Sequence, residues 1–148
     1  MKRLIAVIAM VLMMAGISHA VSVETCVLTF TNKTTTAATA TSASGKCAAN
    51  SANGYAWDAT GARTVQIDVV TAVAHDATTW DMNLLTSDVV GGSYKTFWSK
   101  TYAAAVTTTT AEASLASTTG FNYGKITVDK NAGGTRIDGT ITITITRD

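Results

Sequence analysis

The strict two-residue alternation that closes the chain constrains its fold more than any other feature. Across GTITITITRD, residues 139–148, Ile141, Ile143 and Ile145 fall on one side of an extended backbone and Thr140, Thr142, Thr144 and Thr146 on the other. A helix would scatter these isoleucines around its circumference, so the run specifies a strand with one buried face. Both residue types are β-branched and stiff at χ1, which favours a pleated surface further. Ile137 extends the apolar face upstream.

The same period recurs along the chain. In residues 63–76 Val65, Ile67, Val69, Thr71 and Val73 share a face, opposed first by Thr64, Gln66 and Asp68 and then by Val70, Ala72 and Ala74. The far end of that strand therefore reads as covered on both sides. Trp80, Met82 and Leu84 alternate with Asp81 and Asn83, and the Gly91-Gly92 turn leads to YKTFWSKTY at 94–102 as the returning arm of a hairpin. Residues 121–129 and 135–147 flank KNAGG, which reads as a second hairpin. Strands near 23–30, 63–75, 80–86, 94–102, 121–129 and 135–147, with no long amphipathic helix between them, predict a single all-β domain, an antiparallel β-sandwich or jelly-roll-like barrel.

Two stretches lack this pattern. Residues 31–54 are small and polar, and a low-complexity surface loop over about 31–62, tethered by a cysteine, is expected there. Residues 103–118 read equally as a crossing loop or as a short helix around Ala111 to Ala116.

The N-terminus, MKRLIAVIAMVLMMAGISHA, joins Lys2 and Arg3 to an apolar run of about a dozen residues and ends small-x-small at Ser18 and Ala20. This is the pattern of a secretory signal peptide cleaved after Ala20, and the run is shorter than the roughly 20 residues a membrane helix needs. A secreted or cell-surface protein is expected, with the periplasm as an alternative destination, and no later segment reaches spanning length. In such a compartment the two cysteines, Cys26 and Cys47, read as one disulfide.

Removing Lys2 and Arg3 leaves nine basic against ten acidic residues. Without a basic excess or cluster, nucleic-acid binding is not expected. Export also removes His19, so any catalytic imidazole must be His75, beside Asp76, with no G-x-S-x-G elbow to serve it. A hydrolase built on His75 is the weakest of three readings. No metal site or cofactor is expected, because the histidines and spare cysteines of a zinc site and the D-x-D-x-D-G run of a calcium loop are missing.

Two surfaces remain. Tyr55 and Trp57, two apart in NGYAWDATG and flanked by Asn53 and Asp58, suit a sugar-stacking platform with a polar rim, with Tyr94, Trp98 or Tyr102 as neighbours. The competing reading places Trp57 and Trp80 in the core. The terminal strands form the second surface. The apolar side of VSVETCVLTF changes near Thr25, from Val21 and Val23 to Cys26, Leu28 and Phe30, which suggests a bulge or a segment leaving the sheet. Val21 and Val23 at one end, and Ile141, Thr142, Ile143, Thr144 and Ile145 at the other, are therefore candidates for strand-to-strand assembly.

With its signal, its disulfide and its strand-forming termini, the chain resembles exported pilin-like or filament subunits in organisation, although Arg147 stands where a penultimate aromatic is common in chaperone-assembled pilins. The favoured expectation is a non-enzymatic structural subunit that associates with itself or another surface protein through terminal strand edges. A polysaccharide-binding module is the alternative.

Overall fold

A computed structural model describes residues 21–34, 37–50, 54–89, 91–107, 110–116 and 121–147, with backbone only for 48–50 and 110–116. The expected signal peptide and Asn53 lie outside the described residues. The chain forms β1 (Ser22–Lys33), β2 (Ala38–Thr39), β3 (Ser42–Gly45), β4 (Cys47–Asn50), β5 (Gly54–Asp58), β6 (Thr64–Thr71), β7 (Thr79–Ser87), β8 (Lys95–Tyr102), β9 (Thr110–Ala116), β10 (Tyr123–Ala132) and β11 (Ile137–Arg147). No helix occurs among the described residues.

Two antiparallel sheets pack face to face as a single-domain β-sandwich. The first has the order β3-β1-β11-β6-β9; the second has β4-β5-β10-β7-β8, with β2 also pairing β10. Alternation explains the core between them. Leu28, Phe30, Ile67, Ile141, Ile143 and Ile145 come down from the first sheet onto Trp57, Trp80, Met82, Leu84, Ile126 and Val128 of the second, all 2% exposed or less. Burying a side chain of this size stabilises the fold by roughly 1.5–3 kcal/mol.

The disulfide Cys26–Cys47 is formed and joins β1 of the first sheet to β4 of the second. Where a featureless loop is expected around it, β2, β3, β4 and β5 are found. Their serines, alanines and threonines carry no apolar period. These strands are instead held by ladders, β3 against β1 and β4 against β5.

The expected hairpin across KNAGG does not form. β10 and β11 lie in different sheets, and the turn between them crosses the sandwich. Gly133 and Gly134 both adopt left-handed φ, +63° and +54°, which carries the chain out of the plane of β10. Asp76 seats this turn by accepting from the backbone N–H of Thr135 at 2.7 Å and of Arg136 at 2.6 Å.

Two further expectations are corrected. β6 stops at Thr71, so the far end of that run is not covered on both sides, and Val73 is fully exposed. Residues 110–116 form neither loop nor helix but an edge strand paired with β6, because pairing to an open neighbour outweighs the helix propensity of alanine.

Candidate functional site

The two terminal strands differ in how their edges are used. β11 is paired on both sides, to β1 from Thr140↔Thr29 to Arg147↔Ser22 and to β6 from Gly139↔Thr71 to Thr146↔Thr64. Ile141, Ile143 and Ile145 are buried, and Thr142 and Thr144 stand half-buried on the outer face beside Val27 and Thr25. This corrects the expectation that β11 offers a free edge: its hydrogen-bonding groups are already used by β1 on one side and β6 on the other.

β1 keeps one register with β11 from Ser22 to Phe30, so no bulge occurs near Thr25. The irregularity falls between Phe30 and Lys33, where Asn32 has φ +52°. The apolar side changes simply because Val23 faces outward, 63% exposed, while Cys26, Leu28 and Phe30 face in. β3 covers β1 only over Cys26–Thr29, so among the described residues Ser22–Glu24 has β11 on one flank and no strand on the other.

Tyr55 and Trp57 share a side as expected, but that side is the interior. Trp57 is completely buried and Tyr55 packs against the core. The expected sugar platform is thereby withdrawn from solvent, since the indole fills the space above Gly124, its register partner. Asp58 remains exposed but is committed to its turn, accepting from Thr60 N–H at 2.7 Å.

His75 is likewise structural in its contacts. Its Nε2 donates to Ala77 O at 3.1 Å, its Nδ1 accepts from Asp138 N–H at 3.4 Å, and its ring meets Trp80 edge-on. The nearby carboxylates serve backbone and arginine: Asp138 accepts from Asn32 N–H and pairs with Arg136 at 3.0 Å, while Asp76 holds the β10–β11 turn. Among the described residues no group of three His, Cys, Asp or Glu side chains is placed to hold a metal.

The first open surface is the outer edge of β8, an end strand of the second sheet. Lys95, Thr96, Phe97, Ser99, Lys100 and Thr101 are all exposed. The β7 register steps from Leu84↔Trp98 to Leu85↔Thr96, leaving Phe97 as the extra residue of a bulge, 46% exposed and 5.7 Å from the ring of Phe121. Inward of this edge the outer face is tied by side chains. Thr101 donates to Asp81, Ser99 to Asn83 and Asn83 to Asp129, whose other oxygen accepts from Ala37 N–H.

The second surface is a groove of about 460 Å³ on the outer face of the same sheet, lined by Leu85, Gly91, Gly92, Ser93, Tyr94 and Lys125. Lys125 lies on β10 opposite Ala56 and Leu85, and only 9% of it is exposed. Its ammonium sits 5.7 Å from the centroid of the Tyr94 ring. Burial holds Lys125 below the ordinary lysine range; burial, and secondarily the nearby Tyr123, hold the Tyr94 phenol above its own. Tyr94 is the one expected aromatic neighbour that lines this groove. Lys125 was not foreseen, because the turn that covers it lies far away in sequence.

Comparison with protein-family models and with curated proteins gives no match.

Proposed function

We propose that the chain is an exported, non-enzymatic surface or matrix subunit that associates with a second copy or another surface protein through the side of its sandwich. The supporting observation is the β8 edge: proline-free, flanked among the described residues by a strand on one side only, exposed along most of its length and carrying an apolar ring at a bulge. Such an edge offers unpaired N–H and C=O groups for β-augmentation. Lys95, Lys100 and the bulge at Phe97 favour a matched partner over indiscriminate stacking. The signal-like leader and the disulfide support the location.

Sedimentation velocity of the mature protein across a concentration series tests this. Self-association is expected, and Phe97→Asp should shift it towards monomer without lowering the melting temperature. A species that stays monomeric at millimolar concentration and captures no surface protein would sink the proposal.

A second reading, a polysaccharide-binding module, is favoured by the Tyr94–Lys125 groove rather than by Tyr55 and Trp57. Retention on immobilised glycans, lost in Tyr94→Ala, is its expected signature.

A further inference from the structure

We propose that the groove between Tyr94 and Lys125 binds the carboxylate of an acidic sugar, such as a uronate unit of an anionic polysaccharide. The inference rests on the polysaccharide-binding reading and narrows its ligand class. Its geometric basis is the lysine. Lys125 stands near the middle of a sheet face, nine-tenths buried, and its ammonium faces the Tyr94 ring rather than a carboxylate. Buried lysines are ordinarily paired, because an ammonium withdrawn from water without an anion is costly. Among the described residues no carboxylate lines this groove, which leaves the place of an anion beside the ammonium open to a ligand.

The surroundings narrow the choice. One ammonium, with no arginine beside it in the groove, suits a singly charged carboxylate better than a phosphate or sulfate, which collects several donors or a bidentate fork. Leu85 and the Tyr94 ring offer apolar surface to the C–H face of a pyranose. Ser93 supplies a hydroxyl, and Gly91 and Gly92 let a ring approach the backbone closely. The volume falls within the range of small-ligand sites.

Calorimetric titration with oligogalacturonate, with the same oligomer fully methyl-esterified, and with polyglutamate tests the inference. The free acid is expected to bind at least about tenfold more tightly than its ester. Lys125→Met should erase that difference while Lys125→Arg preserves it, and Tyr94→Ala should weaken both oligomers alike. Affinity for the acid should fall with rising pH before an ordinary lysine would titrate.

Equal binding of acid and ester would leave the polysaccharide reading standing and overturn the carboxylate site. Binding of neither would overturn both. Polyglutamate binding as tightly as the oligosaccharide would reassign the groove to an acidic polypeptide and defeat the proposal. Should Lys125→Met fail to fold, the comparison of acid with ester on the unaltered protein still decides.

Discussion

Gly124 lies directly beneath the indole of Trp57, so close that a Cβ on the glycine would stand 2.2 Å from the nearest ring carbon of the tryptophan. The two residues are register partners on β10 and β5, and their contact draws a polar, glycine-flanked segment into the second sheet.

Gly124→Ala should therefore destabilise the fold by about 1–3 kcal/mol, the usual cost of overpacking. Urea unfolding measures this. Trp57→Phe in the same background should be less harmful than the two single losses added together, since the smaller ring vacates the clashing space. Strict additivity would refute a direct clash.

Reducing Cys26–Cys47, which closes a separation of 21 residues, should lower stability by about 3 kcal/mol. The reduced chain is expected to unfold at lower urea, and Cys26→Ala with Cys47→Ala should behave similarly. No difference would mean that β1 and β4 are held together well enough without the bond.

Asp76 should make the protein acid-sensitive in a defined way. The Arg136 N–H, and next the Thr135 hydroxyl, hold its carboxyl below the ordinary aspartate value of 3.8. A depressed folded pKa contributes stability above the unfolded value and loses it as pH falls through the folded one. Asp76→Ala should thus lower the urea midpoint at pH 7, and the gap to wild type should narrow as pH falls below 3.8 and close once the folded carboxyl is protonated and both chains lack the charge. A gap that persists in strong acid would show that the loss is steric rather than ionic.

Alternation along β11 predicts two unlike mutants side by side. Ile143→Ala should cost about 2–5 kcal/mol, while Thr142→Ala should stay within about 0.5 kcal/mol. Comparable losses from both would show that the outer threonine face is packed against something in solution.

Much of the sandwich was legible in residues that alternate. Ile141, Ile67, Trp80 and Leu84 announce their faces by period alone, and Cys26 and Cys47 announce their bond by being a lone pair. Period gives a side, however, and never a neighbour. The Ile/Thr run reads identically at the edge or the centre of a sheet, so the position of β11 between β1 and β6 could not be read from it. KNAGG marks a turn, but the direction in which Gly133 and Gly134 send the chain depends on Asp76, more than fifty residues earlier. Trp57 and Tyr55 were correctly set on one side, while the space waiting for the indole depended on Gly124. Nothing in KITVD itself marks Lys125, because its enclosure arises from the Gly91–Tyr94 turn.

The ladder joining Ser22 to Arg147 has a consequence for how the molecule comes into being. Because β11 lies between β1 and β6, those two strands have no common neighbour until β11 takes its place. The first sheet therefore waits on a pairing between segments more than a hundred residues apart, a long-range closure of the kind that slows folding.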